Sequence, residues 1–239
     1  MWQDVFEWSF GLLMPPHCLF CGGVATGEDW VCAGCRGRLP LIGERCCARC
    51  SRPAFGRFLG GAICSVCRST RYAFDRNISV FRLEAGVREQ VHRMKYRGAA
   101  AIGGRMGYWL GRCLVDDRRF QEELVDILIP VPLSRWRWLL RGYNQAEVLA
   151  RSAGRVSGLP VVDALRREGR FGAQVGLGRS ERLVRLRGAF RVRDAGRVRG
   201  LRVVLVDDVF TTGGTLDACA RSLREAGVRS VRALTLCRG

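Results

Sequence analysis

The sequence predicts an α/β protein: a mainly parallel sheet flanked by helices, with a small cysteine-rich module in front. Three observations carry this. Eight cysteines form four Cys-x-x-Cys pairs between residues 18 and 67, after which the composition changes. Short apolar runs then alternate with segments of helical spacing to the end of the chain. One of those runs leads directly into two acidic residues, a Thr/Gly loop and a helix start. With 239 residues there is room for one medium domain and a small appendage. The expected division is 1–70 for an N-terminal helix and cysteine module, and 71–239 for the α/β domain.

At the N-terminus Trp2, Phe6, Phe10 and Leu13 recur at helix-like spacing, interrupted by Asp4 and Glu7. The segment has no basic n-region and no small-residue cleavage site, so it reads as a short amphipathic helix rather than a signal peptide. No apolar run is long enough to span a bilayer. The expectation is a cytoplasmic protein with no membrane span. Lys and Arg together number 40 against 22 acidic residues, a net charge of +18. That balance suits polyanionic partners, nucleic acid or phosphorylated small molecules. Nearly all the cations are arginine, a skew that genome composition can scatter without purpose. Lys95 is the single lysine. It stands out as a place that needs a compact ammonium rather than a planar fork.

The cysteine pairs are Cys18/Cys21, Cys32/Cys35, Cys47/Cys50 and Cys64/Cys67. Two pairs supply four thiolates, the tetrahedral donor set of a closed structural zinc site. Disulfides suit a secreted protein, and a redox Cys-x-x-Cys normally stands alone on a thioredoxin-like pattern. Four pairs favour one or two structural zinc ions. Sequential pairing is the simplest arrangement, and interleaved pairing stays open. Cys46 is a spare thiol that could exchange register with Cys47, and His17 reads as a local hydrogen-bonding residue beside Cys18.

Residues 76–83 alternate like a strand, and 84–97 and 99–115 have helical character. Residues 125–131, Val-Asp-Ile-Leu-Ile-Pro-Val, form a short apolar run of the kind a strand buried on both faces needs. Residues 144–156 place Ala146, Leu149, Ala150 and Ala153 on one helical face. A strand is expected over 161–165 and an Arg/Gly-rich excursion over 166–187. Strand, helix and strand follow at 202–206, 216–226 and 229–236.

The chemistry concentrates in the stretch from Val203 to Leu216. Four branched apolar residues make a strand, with Asp207 and Asp208 at its carboxyl end, where open α/β sheets bind ligands. Val209 and Phe210 lead to Thr211, Thr212, Gly213, Gly214 and Thr215, immediately before a helix. Glycines admit an anion to the backbone amides, threonine hydroxyls add donors, and the helix N-terminus favours negative charge. Carboxylates only accept hydrogen bonds, and vicinal ribose hydroxyls donate them. Loop and acids together fit a ribose 5-phosphate. The stretch is neither a P-loop nor a Gly-x-Gly-x-x-Gly fingerprint. Pro130 and Val131 close the apolar strand, where they could present backbone amides to a diphosphate, with Arg135 or Arg141 as cationic clamps.

The Asp-Asp-Val-Phe-Thr-Thr-Gly-Gly-Thr run resembles the loop of type I phosphoribosyltransferases that binds phosphoribosyl pyrophosphate (PRPP). Pro130-Val131-Pro132, Arg141-Gly142-Tyr143-Asn144-Gln145 and the segment His92 to Gly98 resemble the signature of ComF-type competence proteins, as does Gln174 through Phe190. This resemblance implies a type I phosphoribosyltransferase-like sheet behind a double zinc ribbon. It implies Asp207 and Asp208 as the catalytic and ribose-binding acids, with Val209, Thr211, Thr212, Gly213, Gly214 and Thr215 on the rest of PRPP. Lys95, Pro130, Val131 and Arg141 would meet the pyrophosphate, with Mg²⁺ neutralising it. Residues 166–187 would cover the site, by analogy with the family's mobile loop. Partners implied are PRPP, single-stranded DNA and the DNA-import machinery, in a protein assisting DNA uptake during transformation. A phosphoribosyltransferase of nucleotide or salvage metabolism and a zinc-ribbon nucleic-acid binder with a regulatory ribose-phosphate site are the other readings.

Overall fold

A computed structural model describes residues 17–54, 62–96, 99–168 and 188–239. The expected N-terminal helix and most of the 166–187 excursion lie outside them. Four strands form one parallel sheet in the order β1-β6-β5-β2: β1 (Asn77–Arg82), β2 (Ile127–Pro130), β5 (Arg202–Phe210) and β6 (Ser230–Arg238). A separate antiparallel pair joins β3 (Leu165–Arg167) to β4 (Phe190–Val192). The helices are α1 (Ala33–Arg36), α2 (Ser65–Ser69), α3 (Ala85–Arg93), α4 (Ala100–Asp116), α5 (Arg118–Gln121), α6 (Arg135–Arg141), α7 (Gln145–Ser157) and α8 (Gly214–Glu225). Among the described residues no helix is long and apolar enough to cross a membrane.

Strand alternation sends the sheet's side chains into two cores. Ile127, Ile129, Val203, Leu205, Val231 and Ala233 face α8, which closes that side with Leu216, Cys219 and Leu223. Leu128, Val204, Val206, Leu234 and Leu236 face the other way, against α3, α4 and α7. Because α7 leads from β2 on one face and α8 leaves β5 on the other, a crevice opens where β2 and β5 end. Open α/β sheets place their ligand sites there.

Helices α4 and α7 approach until only glycine fits between them. A Cβ on Gly107 would lie 2.6 Å from the Ser152 Cβ and 2.8 Å from the Leu149 carbonyl oxygen, and one on Gly111 would lie 2.4 Å from the Val156 Cβ. These glycines of α4 are therefore a packing surface.

Two expectations need correction. The strand expected over 161–165 is split: Val161 bridges Leu128 at the sheet edge, and the chain then turns away so that Leu165 opens the antiparallel pair. The strand expected to end at Val206 continues to Phe210, because β6 keeps pairing with it through Phe210↔Arg238. Helices α5 and α6 carry no apolar periodicity strong enough to show in the sequence.

Gly107→Ala and Gly111→Ala should each destabilise the protein by about 1–3 kcal/mol, the usual cost of forcing atoms into a filled interface. Chemical denaturation measures this. Wild-type stability in both variants would show that α4 and α7 can separate freely.

Candidate functional site

The carboxyl end of β5 outruns β2. Pro130 pairs with Val206, where β2 stops, and the next four residues of β5 have β6 on one side only. Asp207 and Asp208 stand at this open edge. The Asp207 carboxylate accepts the Asp208 amide at 2.9 Å, and the Asp208 carboxylate accepts the Val209 amide at 2.7 Å. Burial raises the Asp207 carboxyl well above the ordinary carboxylate range, and the neighbouring charge of Asp208 adds to it. Lys95 Nζ lies 3.6 Å from Asp208 Oδ2. The single lysine thus faces the acid pair. Val209 packs a partly buried side chain against the core.

Beyond Phe210 the chain forms a tight cradle. Gly213 has φ +81°, and a Cβ there would lie 2.7 Å from the Phe210 ring and 3.0 Å from that of Tyr72. Only glycine satisfies both demands. Thr211 is exposed, while Thr212 and Thr215 are partly exposed beside the buried Gly213 and Gly214. The first amides of α8 have no partner within the helix, so this end offers donors and positive dipole to an anion. The cradle is braced from behind. Tyr72 Oη donates to the Thr212 carbonyl at 2.9 Å, and Tyr72, Phe74 and Phe210 form one aromatic cluster.

The residues Arg141 to Gln145 act as a connector. Gly142, at φ +80°, ends α6. Tyr143 Oη donates to the carbonyl of Met94, the residue before Lys95. Asn144 caps α7 by accepting the Ala146 amide at 3.2 Å, and its Nδ2 donates to the Val131 carbonyl at 3.0 Å. Arg141 is half-buried and feels Asp208; burial and the charge of Arg137 hold its pKa below the usual value. Pro130 and Val131 do not present amides as expected. Pro130 and Pro132 have no N–H, and the Val131 amide already donates to the Val206 carbonyl at 3.0 Å. Of the two clamp candidates Arg141 lies near enough to feel the charge of Asp208, whereas Arg135 lines a cavity beside Pro130 and Asn144. Sequence reasoning missed Arg137 and Arg167. Arg137 lies close enough to both Arg141 and Arg167 to lower their pKa values further, after burial.

A family model described as a phosphoribosyl transferase domain matches residues 141–239, and one described as a double zinc ribbon domain matches residues 10–68. The chain is 31% identical over 218 residues to the competence protein ComFC of Bacillus subtilis, covering 88% of this chain and 85% of that one. The chain belongs to the ComF family. It is also 28% identical to competence protein F of Haemophilus influenzae, over 93% of this chain and 96% of that one. The DNA utilization protein YhgH of Shigella flexneri is 28% identical, over 95% and 99% of the two chains. The fold of this ComF-family chain is a type I phosphoribosyltransferase-like sheet behind a cysteine-rich zinc-ribbon module.

That module gathers its thiols in sequential order. Cys18, Cys21, Cys32 and Cys35 form one group, and Cys47, Cys50, Cys64 and Cys67 the other, with all four sulfurs of each within 4.8 Å of one another. A tetrahedral zinc with bonds of about 2.3 Å separates its sulfurs by about 3.8 Å. Cys21 and Cys32 are 3.6 Å apart, and Cys50 and Cys64 are 3.8 Å apart. Backbone amides of Phe20 and Cys64 point at the sulfurs of Cys18 and Cys47, the outer-shell support that structural zinc sites carry. Both donor sets fit zinc. Cys46 is outside them, its sulfur accepting from Arg119 at 3.3 Å, so no register exchange with Cys47 arises. His17 Nδ1 meets the Gly22 carbonyl oxygen at 3.1 Å, the local role expected of it. The second cluster is fully buried and belongs to the same core as Phe74, Val203 and α8. The first is partly exposed.

Two outcomes follow from these geometries. Cys64→Ser should abolish soluble folded protein or lower its melting temperature far more than Cys21→Ser does, because only the second cluster is part of the main core. Thermal melts with zinc content measured alongside decide it, and equal losses would refute the difference. Asp207→Asn should raise the melting temperature at pH 7 by about 3 °C, the shift that roughly 1 kcal/mol produces in a chain of this size. The sign follows from linkage: a folded-state pKa above the unfolded one means stability is lost as pH rises through it. The gain should therefore vanish in acid, where the wild-type carboxyl is protonated in both states.

Proposed function

We propose that this chain binds PRPP, or a related ribose 5-phosphate, at the carboxyl end of β5, and that it uses the site while assisting the handling of DNA taken up in natural transformation. One observation carries the first half: an anion cradle at the start of α8 adjoins two carboxylates near the carboxyl end of β5. The 5-phosphate would take the amides and hydroxyls of Thr211, Thr212, Gly213, Gly214 and Thr215. Asp207 and Asp208 would accept from the ribose hydroxyls, and Lys95 would then exchange Asp208 for the pyrophosphate, with Arg141 beside it. Mg²⁺ bound with the ligand supplies neutralisation of the diphosphate charge. The half concerning DNA rests on kinship with chains named for competence and DNA utilization. In this reading residues 1–70 are a zinc-held module, residues 71–239 are the ligand-binding domain, and both work in the cytoplasm.

Calorimetry of the zinc-loaded protein with PRPP and Mg²⁺ tests the site. Asp207→Asn with Asp208→Asn should weaken binding by at least about tenfold, the loss of roughly 1.4 kcal/mol that even one charge-assisted hydrogen bond supplies. Ribose 5-phosphate should compete. An unchanged titration in a variant that melts normally would refute the site. Transformation assays test the role: Asp208→Asn should reduce transformant yield, and a wild-type yield would overturn that half.

A further inference from the structure

Helix α6 reads Arg-Trp-Arg-Trp-Leu-Leu-Arg, and none of its residues is buried. Trp136 is 69% exposed, Leu140 57% and Trp138 52%. Single apolar side chains scattered over a surface need no explanation, but two tryptophans and a leucine within five residues mark a contact surface. Trp136 and Leu140 are four apart and share one side of the helix. Trp138 turns to another side, where it lines a cavity of about 470 Å³. That volume lies in the range of small-ligand sites. Leu139, Pro132 and Leu133 give the cavity apolar walls, and Glu147 and Asp163 contribute carboxylates.

The surroundings are cationic. Arg135 and Arg137 alternate with the tryptophans and are exposed, and Arg137 adds its field to those of Arg141 and Arg167. Among the described residues Arg137 and Arg167 form no ion pair. Clustered like charges repel, and an anion laid across them relieves the repulsion.

We infer that α6 and the adjoining cavity are the contact surface for single-stranded nucleic acid. Trp136 and Trp138 offer indole faces on which unpaired bases stack, and Arg135 and Arg137 meet the phosphates between them. This combination grips a strand without reading its sequence. The cavity accepts one base against Trp138, with Glu147, also paired with Arg151, and Asp163, also paired with Arg193, accepting from N–H groups on the base edge. An anionic bilayer would match tryptophan and arginine equally well, but a flat surface cannot fill a concave slot. The inference rests on the DNA-handling reading above and gives it a surface that reaches the end of β2 through Pro130 and Asn144 but does not include the acid pair.

Fluorescence anisotropy with a labelled oligo-dT of about 20 nucleotides, on the intact zinc-loaded chain, tests it. Trp136→Ala with Trp138→Ala should weaken binding by about tenfold or more, and Trp→Phe at both positions should restore most of it because a ring still stacks. Arg135→Ala should reduce the log–log salt slope by about one. PRPP titrations of these variants should match wild type, since none of the three residues belongs to the proposed ribose-phosphate site. If wild-type protein binds the strand and the double alanine variant binds it as tightly, this surface is wrong while the DNA-handling reading stands. If wild-type protein does not bind it at all, both fall. Tighter binding to phosphatidylglycerol vesicles than to the strand, lost in the same double variant, would make α6 a lipid contact and overturn the inference.

Discussion

The site depends on a mismatch of strand lengths. Strand β5 continues for four residues after β2 has stopped, while β6 stays paired with it to Phe210. The stop belongs to the sequence of β2. Pro130 and Pro132 cannot donate to a ladder, and Val131 makes the last contact, to Val206. What β2 gives up, the acid pair occupies. A half-buried edge with two adjacent carboxylates is electrostatically unfavourable in an isolated chain, and the raised pKa of Asp207 records that cost. Such a cost is the reason the acid pair is read as a candidate ligand site.

Around that edge the molecule knits together segments far apart in sequence. Tyr143 holds the turn that carries Lys95, Asn144 holds the end of β2, and Arg141 and Lys95 both look toward Asp208. Single neutral hydrogen bonds of this kind contribute about 1 kcal/mol each. Their value here is positional, because each one ties a cation or a strand end to the same few ångströms of space. The Arg-Gly-Tyr-Asn-Gln run is therefore chiefly a brace, and its arginine is the one member that faces the acids.

The cysteine-rich segment is joined to the sheet rather than hung from it. Ser51 lies fully buried, its hydroxyl donating to the Asn77 carbonyl at 2.8 Å, and the second thiol cluster lies in the core that α8 closes. A few residues later Tyr72 and Phe74 brace the Gly213 cradle. A metal-held turn, an aromatic cluster and the glycine of the cradle are thus in series.

Local chemistry made much of this legible in the sequence. Four Cys-x-x-Cys pairs announced two four-thiol sites, and Asp207 to Thr215 announced a cradle beside two acids, because turn residues, ligands and helix starts act within a few positions of one another. The apolar runs at Ile127, Val203 and Val231 showed as strands because both of their faces are buried. Other features depended on partners distant in the chain. The pairing of β6 set where β5 ends, and the approach of α4 to α7 gave the glycines their purpose. The fold brought Lys95 to Asp208 across more than a hundred residues, took the Val131 amide into the ladder, and left α6 outside both cores. None of these is written in a local pattern, since each is settled by which surfaces meet once the sheet has formed.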